Sequence, residues 1–478
     1  MAEKRDKYEN PLVERYCSKE MSRLFSPDVK FRTWRRLWIA LAEAENQLGL
    51  GVSKAQIAEM KRFADRINYR VAEKFERELR HDVMSHVHAF GRQAPKAAPI
   101  IHLGATSCFV ADNADLVIMR EALKLLLGRL ADAASALAAF CRKYRKLPVL
   151  GLTHLQPAQV TTVGKRATLW LQDLLLDAAE IERRLDELPF RGAKGATGTQ
   201  ATFLQLLGSS ARVRRLEKLV AGKMGFKKVL PVTGQTYTRK IDSMVMTALA
   251  GLGESAAKFG NDVRILAHRK EMEEPFRKKQ IGSSAMAYKR NPMRSERMCG
   301  LGRWLIAAAS AAPQTASVQW MERTLDDSAP RRMYIPECFL AAEALAILWA
   351  DVAGGLVVYP RTIRKNLAGE LPFMATEEIL MAGVQAGGDR QELHEVIRKH
   401  SQAAARRVKA EGGDNDLIDR LERDQAFSAV RSQLKGAVRA ERYVGRAPEQ
   451  VTEFLRDVAS PAMRRLSRYR AGRAEVRV

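Results

Sequence analysis

The sequence predicts an all-α protein built around a bundle of long helices. Several stretches are apolar nearly all round, such as 341–356, where only Glu343 and Asp351 are charged, so they must be buried on every side. A helix of about thirty residues spans roughly 45 Å, longer than a compact monomeric domain needs. Five long antiparallel helices of this kind predict an oligomer formed around a shared bundle. The five runs with helical periodicity lie at 112–144, 161–188, 239–268, 293–312 and 337–358.

The pattern of helices and glycines divides the chain into three helical domains. Residues 1–106 form an N-terminal domain that contains an amphipathic core helix. Residues 107–358 contain the long runs and form the central bundle domain. Residues 359–478 form shorter helices broken by paired glycines, and they end in an arginine-rich basic tail at 464–473.

One feature of the composition is unusual, a net charge of +25. A basic surface is typical of nucleic-acid-binding proteins, but it also suits an enzyme whose substrate carries a phosphate and carboxylates. Most of the lysines and arginines alternate with Glu and Asp at helical spacing, which indicates a solvated surface. We therefore attribute most of the charge to that surface and a few arginines to substrate binding, and we expect no nucleic-acid partner.

The sequence indicates neither a secreted nor a membrane protein. The first ten residues are charged and contain no apolar stretch of the signal-peptide type. The most apolar run, at 344–359, is interrupted by Asp351. The five cysteines are widely spaced without a Cys-x-x-Cys pair, which indicates reduced thiols. We therefore expect a cytoplasmic protein without disulfides.

Three of the eight histidines lie in the segment 80–88. His81 and His88 share a helical face, but no carboxylate or cysteine is spaced to complete a ligand set, so we expect no metal. The alternative is that Arg80, His81 and Asp82 present polar groups to an anionic substrate.

Two hydroxyl side chains, Thr106 and Ser107, end an apolar run. Asp112 or Asn113 is expected to cap the helix that follows, because short polar side chains satisfy the free N–H groups of a first helical turn.

A polar segment at 282–291 lies between two of the long helical runs and is predicted to be a loop. A solvated surface connection is the simplest interpretation of such a segment. However, Gly282, Ser283 and Ser284 offer hydroxyls and consecutive backbone N–H groups on a flexible turn, and Lys289 and Asn291 add a cation and an amide. This combination is suited to binding an anion.

A single histidine, His154, stands beside Thr153 between Gly151 and Pro157, where we predict a helix start. A lone histidine is more often a structural hydrogen-bonding residue than a catalyst.

Both segments resemble motifs of one family. The pattern Gly-Ser-x-x-Met-x-x-Lys-x-Asn at 282–291 and the run Thr-His-Leu-Gln-Pro-Ala at 153–158 resemble two signature segments of the fumarase/aspartase superfamily, whose members eliminate fumarate from a succinyl group. Ala287 stands where the superfamily commonly has proline after the methionine, and its effect on loop closure stays open.

Within the superfamily, the chain is most similar to the animal-type branch that acts twice in purine synthesis. That resemblance implies a homotetramer whose core has about twenty helices, active sites shared between subunits, and no metal or organic cofactor. It also implies that the substrates are small nucleotides, adenylosuccinate and succinylaminoimidazole carboxamide ribotide. The similarity covers nearly the whole chain and is carried by segments 15–18, 80–84, 102–107, 194–200, 235–237 and 322–328.

Elimination requires a base for the proton next to a carboxylate, donors around that carboxylate, and an acid at the leaving nitrogen. By resemblance, Ser283 is the base and His154 the acid. Residues expected to bind the nucleotide and its phosphate are Arg15, Tyr16, Arg323, Ser328 and Arg332. Residues expected to line the rest of the pocket are Arg80, His81, Asp82, Thr106, Ser107, Thr153, Gln235, Lys289, Asn291 and Arg297.

Two alternatives stay open at this point. A sibling of the superfamily, argininosuccinate lyase or fumarase, would share Ser283 and His154 but would not need the phosphate-binding residues Arg323, Ser328 and Arg332. A basic nucleic-acid-binding protein that keeps the fold without activity would bind strands in a salt-dependent way, and only the net charge favours it.

Overall fold

A computed structural model describes residues 6–470, 472 and 474 of the chain. It confirms the all-α prediction, because strands in this part of the chain are limited to two small two-stranded sheets. The expectation of a cytoplasmic protein rests in part on the charged residues 3–5, which lie outside the described residues. Arg473 of the predicted basic tail also lies outside them.

The N-terminal region is a set of short helices around one amphipathic helix. That helix, α2, buries Trp34, Leu37, Trp38 and Leu41 on one face. A π-helical turn at Leu12–Tyr16 precedes these helices and a 3-10 turn at Ala98–Ile100 follows them. The helices are α1 (Lys19–Leu24), α2 (Pro27–Gln47), α3 (Lys54–Arg62), α4 (Tyr69–Leu79) and α5 (Asp82–Gln93).

The central region contains the five predicted long helices, here α6, α7, α10, α11 and α13. Each packs antiparallel to the next one along the bundle, so α6, α10 and α13 run in the same direction. The helices are α6 (Ser107–Lys143), α7 (Val163–Glu187), α8 (Ala201–Leu207), α9 (Ser210–Lys223), α10 (Lys240–His268), α11 (Met293–Ala309), α12 (Ala311–Ser317) and α13 (Ser328–Gly355).

Two of these helices begin earlier than the sequence predicts. In α6 the prediction that Asp112 or Asn113 caps the helix is wrong: both are buried inside it, where Asp112 accepts the backbone N–H of Tyr237 at 2.9 Å. In α13 the helix continues through Pro336 and begins at Ser328. The turns ahead of the proline are stabilised because Arg331 and Tyr334 are buried among polar partners.

The bundle has two ends that matter for function. We call the end where α6, α10 and α13 begin the near end, and the end where they finish the far end. At the far end, the hairpin β1 (Pro148–Thr153) and β2 (Gln156–Thr162) connects α6 to α7. Also at the far end, β3 (Met272–Glu273) pairs with β4 (Val357–Val358), which follows α13. Because α6 has 37 residues, the two ends lie about 55 Å apart along it.

The C-terminal region has a small hydrophobic core of its own, formed by residues between Ala375 and Ala437. Its last helices return to the bundle, since Val451, Leu455 and Leu466 belong to the main core. The three-domain division therefore stays a prediction. The helices are α14 (Pro360–Met374), α15 (Thr376–Gln385), α16 (Arg390–Ala410), α17 (Leu417–Arg423), α18 (Arg431–Ala437), α19 (Ala447–Phe454) and α20 (Ser460–Leu466). Single 3-10 or π turns lie at Gln425–Val430, Ala440–Tyr443, Leu455–Ala459 and Ser467–Tyr469.

Helix α13 is apolar enough by length and composition to cross a membrane, but 78% of its most apolar window is buried inside the protein. Such burial is typical of a core helix. The five cysteines all lie in the described part of the chain, and each is buried and forms no disulfide.

Candidate active site

The first group of predicted site residues lies at the near end, around the start of α6. His81 precedes α5 and its Nδ1 accepts the N–H of Met84 at 3.3 Å, which caps the helix. With Nδ1 accepting, Nε2 carries the proton and faces the hydroxyl of Ser107 at 3.4 Å. Thr106 lies beside this pair, and its hydroxyl donates to the carbonyl of Gly195 at 3.5 Å. The neighbouring Arg80 is exposed and takes a left-handed backbone conformation, with φ of 55°.

An ion pair joins this group to α13. Asp82 contacts Arg332 at 3.3 Å, and both line a cavity of about 280 Å³ that also contains Ser328. Lys30, Asp115 and Arg331 are the other charged residues that line this cavity. A cavity with both signs of charge and an accessible arginine is suited to a polar, anionic ligand.

The loop before α10 brings Gln235 to the same place. Its N–H donates to the carbonyl of Glu322 at 2.9 Å, and its side-chain oxygen lies 3.7 Å from the thiol of Cys108. Burial raises the pKa of Cys108 to about 11, so the thiol keeps its proton and acts as donor. Gly234 is required for this close approach, since a Cβ there would lie 2.5 Å from the carbonyl oxygen of Glu322. Arg323, next in the chain, is thereby held at the near end.

The second group lies at the far end, on the loop that connects β3 to α11. The hydroxyl of Ser283 accepts the backbone N–H of Met286 at 3.2 Å, and the side chain of Asn291 donates to the carbonyl of Gly282 at 2.8 Å. Lys289 is exposed, and its N–H donates to the carbonyl of Met286 at 3.0 Å. The loop therefore closes on itself and presents the Ser283 hydroxyl beside a backbone donor.

The base of this loop is anchored by Glu274, which the sequence pattern did not indicate. Its carboxylate is buried and accepts the N–H groups of Arg294 and Ser295 at 3.0 and 2.9 Å, so it caps the start of α11. No local pattern could have indicated this role, because Glu274 follows β3 and α11 begins only at Met293, so folding alone brings the two together.

Arg15, Tyr16 and Arg297 meet on the same side of the bundle as this loop. The guanidinium of Arg297 lies 5.6 Å from the centre of the Tyr16 ring, a cation–π geometry. Burial lowers the pKa of Arg297, and the nearby charge of Arg15 lowers it further. Arg294, three residues earlier on α11, pairs with Asp351 at 3.1 Å near the end of α13.

His154 lies on a turn of the β1–β2 hairpin, so the prediction that it stands at a helix start is wrong. His154 and Leu155 both have positive φ, 54° and 56°, which is the conformation of a two-residue hairpin turn. The helix begins only at Val163 because the residues between pair with β1. Thr153 and His154 are exposed, and the His154 ring makes no hydrogen bond to a described residue.

Within one protomer, the near-end and far-end groups are too far apart to act on one small molecule. Ser328 and Asp351 are both on α13, 23 residues apart in number, which corresponds to about 35 Å of helix. Asp351 contacts Arg294 and Arg277, which flank the Ser283 loop. The near-end residues and the Ser283 loop of the same chain therefore lie at separate places.

Comparisons with known proteins find matches over most of the chain. The family profile described as Lyase matches residues 28–304, and the profile described as Adenylosuccinate lyase C-terminus matches residues 372–454. The adenylosuccinate lyase of Saccharomyces cerevisiae is 51% identical over 468 residues, covering 97% of each chain. That of Schizosaccharomyces pombe is 50% identical over 460 residues, covering 95% of each chain.

The fold itself is shared more widely. The crystal structure of a fumarate lyase from Mesorhizobium sp. BNC1 matches with a TM-score of 0.79 at 22% identity, covering 92% of this chain and 98% of that one. At this identity the likeness shows the fold alone.

Proposed function

Because the chain belongs to the adenylosuccinate lyase family, we propose that the near-end and far-end residues described above form its active site. The protein is a carbon–nitrogen lyase of purine nucleotide biosynthesis. It eliminates fumarate from adenylosuccinate to give AMP, and from succinylaminoimidazole carboxamide ribotide to give the aminoimidazole carboxamide ribotide.

In the proposed mechanism, Ser283 removes a proton from the succinyl carbon adjacent to the carbon that bears the leaving nitrogen. A serine hydroxyl is a weak base unless its alkoxide is stabilised. The Met286 N–H, which already donates to Ser283 Oγ at 3.2 Å, supplies one stabilising donor. The ammonium of Lys289 is a positive charge on the same loop, and Asn291 holds the loop closed through Gly282.

His154 protonates the leaving nitrogen in this proposal. An exposed imidazole on a tight turn is free to enter a site formed by another surface, and histidine is the side chain most often used as a general acid. Thr153 beside it lines the pocket. Helix α7 holds the hairpin in place, because Arg166 on α7 donates to the carbonyl of Leu150 at 2.6 Å.

The nucleotide and its phosphate are bound, in this proposal, by Arg323, Ser328 and Arg332 at the near end, with Arg15 and Tyr16 contributed from elsewhere. Arginine suits phosphate and carboxylate because its planar fork forms two parallel hydrogen bonds. The cavity that contains Ser328 and Arg332 also borders Asp82. The remaining near-end residues, including His81, Ser107 and Gln235, would line the pocket around the succinyl group.

These roles require an oligomer, and we propose a homotetramer in which each site combines segments of three chains. Two observations support it. The near-end and far-end groups of one chain cannot meet. In addition, the bundle exposes large apolar side chains on its long helices, including Leu176 at 64% and Met333 at 58% exposure. Exposed apolar faces of this size are typical of subunit interfaces.

We also propose that the enzyme works in the cytoplasm. Five buried cysteines that form no disulfide support a reducing compartment.

The observation that carries the proposed mechanism is the closed, glycine-led loop that presents Ser283 beside a backbone donor. The test is turnover of adenylosuccinate, followed as AMP and fumarate release, in wild type and Ser283→Ala. We expect Ser283→Ala to keep its fold and lose about a thousandfold or more in turnover, as deletion of a catalytic base does. Ser284→Ala is the matched control and should keep near-normal turnover. Near-normal turnover in Ser283→Ala would place the base elsewhere.

A further inference from the structure

A buried network of charged side chains lies directly beneath the near-end group. Asp112 of α6 binds the guanidinium of Arg239 through both oxygens, at 3.1 and 3.2 Å. Arg239 in turn donates its Nε to Asp327 at 2.7 Å. The Asp112, Arg239 and Asp327 side chains are at most 2% exposed. The network therefore connects the start of α6, the start of α10 and the residue that precedes α13.

The same network continues on the other side through Arg331. Its Nε donates to Asp242 at 2.7 Å, and one of its terminal nitrogens donates to the Tyr237 hydroxyl at 2.7 Å and to Asp115 at 2.8 Å. Tyr237 donates its hydroxyl to Asp242 at 2.5 Å. Arg331 and Asp242 are therefore paired within the network and do not contact Arg323.

Asp327 differs from the other two most buried carboxylates in its hydrogen bonds. Both oxygens of Asp112 and both oxygens of Asp242 accept hydrogen bonds, and the fully buried Arg191 is a further cation close to Asp112. A buried carboxylate oxygen without a donor is costly, so a cation that faces the second oxygen of Asp327 stabilises the arrangement.

Arg323 is the cation in the right place. Asp327 Oδ1 is buried and accepts no hydrogen bond from a described residue, while Arg323 Nη1 lies 3.6 Å from it. The Arg323 side chain is 25% exposed, so it extends from the network toward solvent. One side chain therefore contacts both the buried network and the surface where the nucleotide is proposed to bind.

Resting on the proposed role of Arg323, we infer that Asp327 is a positioning residue that holds the Arg323 guanidinium in the orientation that receives the phosphate. Asp327 does not touch the substrate. It acts because Arg239 fixes one of its oxygens and leaves the other facing Arg323. Because Asp327 directly precedes Ser328, the same contact also sets the position of the first turn of α13.

The test is a double-mutant cycle on the Michaelis constant for adenylosuccinate, using Asp327→Asn, Arg323→Ala and both together in the full-length protein. Asn keeps the shape and an oxygen for Arg239 but removes the charge. Asp327→Asn should raise KM roughly three- to tenfold with kcat within about twofold, and should raise it no further once Arg323 is alanine. A residue with only a structural role would change KM by the same factor in both backgrounds.

Asp242→Asn is the matched control. Asp242 is equally buried and also accepts an arginine Nε at 2.7 Å, but it does not contact Arg323. It should lower the melting temperature and leave KM within about twofold of wild type. If Asp327→Asn does not fold, the cycle is run with Asp327→Glu, whose longer side chain keeps the charge but displaces its outer oxygen from Arg323.

Three results overturn the inference. One is an unchanged KM in the Asp327 variant, a second is an equal rise in both Arg323 backgrounds, and a third is an equal rise in Asp242→Asn. If Arg323→Ala alone leaves KM unchanged, the proposed phosphate role of Arg323 fails and the inference falls with it. If Arg323→Ala raises KM but Asp327→Asn raises it by the same factor with and without Arg323, only the inference about Asp327 falls.

Discussion

The separation of the two groups predicts that active sites are completed between chains, and this can be tested by mixing inactive variants. One variant carries Ser283→Ala at the far end. The other carries Arg323→Glu and Arg332→Glu at the near end, which places two anions where the phosphate is proposed to bind. Each variant alone should be inactive, because every site contains one lesion.

The expected recovery follows from the geometry. Ser328 and Asp351 of one chain are separated by about 35 Å of helix, so a site near Ser328 must take its Ser283 loop from another chain. After denaturation and refolding of an equal mixture, each half of a site is intact in about half of the cases, and about a quarter of the sites are intact in both. We expect about a quarter of wild-type turnover.

The assay is release of fumarate by the mixture, after light scattering has confirmed that mixed oligomers form. A double charge reversal on an exposed surface, Arg398→Glu with Lys399→Glu, is the matched control for assembly and should stay active on its own. Mixed oligomers that form and stay inactive at every ratio would refute the shared site. Repeating the experiment with His154→Ala and Ser283→Ala tests whether the two far-end segments also come from different chains.

Three further predictions concern the phosphate site, the catalytic loop and stability. Arg323→Ala and Arg332→Ala should each raise KM for adenylosuccinate about tenfold or more and change kcat less, because a phosphate remote from the reacting carbon contributes mainly to binding. Gly282→Ala should lower kcat more than tenfold, because its Cβ would lie 2.1 Å from the carbonyl oxygen of Lys289 and displace the loop. Stability should fall as pH rises from about 4.5 to about 8 because burial raises the pKa of Glu45 from 4.5 to about 8, and Glu45→Gln should remove that part of the decrease.

The sign of the last prediction follows from proton binding. The folded protein binds a proton at Glu45 more tightly than the unfolded chain does, so this contribution is complete below pH 4.5 and is lost as pH rises through 8. At pH 7 it corresponds to a decrease on the order of 3 kcal/mol in the free energy of unfolding. Melting temperatures of both proteins at pH 5 and pH 8 measure it. Equal losses in wild type and Glu45→Gln would contradict it.

The other two predictions have their own controls. Gly222→Ala is matched to Gly282→Ala, since a Cβ at Gly222 meets nothing within 4 Å, and it should keep normal turnover. An unchanged kcat in Gly282→Ala would show that the loop tolerates a side chain. An unchanged KM in both arginine variants would show that the phosphate is bound by other residues.

Much of this arrangement was predictable because it depends on local pattern. The long helices were predicted to within a few residues at their C-terminal ends, since 3.6-residue periodicity is a property of the chain alone. The family was also predictable, because the segments around His154 and Ser283 are short and their residue types are specific. The comparisons confirm that prediction.

One error arose where a distant partner decided the local structure, and another where a local hairpin was not recognised. Asp112 has the side chain of a helix cap, but Arg239 and the Tyr237 N–H bind it inside α6. His154 precedes a helix in sequence, yet pairing of β1 with β2 places it on a turn. No spacing rule connects Asp112 to Arg239 or Tyr237, because these residues are brought together only when the helices pack. The two strands of the hairpin, in contrast, lie next to each other in the chain, and the interpretation of His154 missed their two-residue turn.

The sequence by itself therefore determined the helical class, the family and the identity of most candidate site residues, since each of these depends on residues close together in the chain. Only the tertiary structure decided where those residues lie. It separates Ser107 and Arg332 from Ser283 by most of the length of the bundle, because consecutive long helices run antiparallel and their connections alternate between the two ends. It also places Asp327 between Arg239 and Arg323, a juxtaposition of three segments that no local pattern contains.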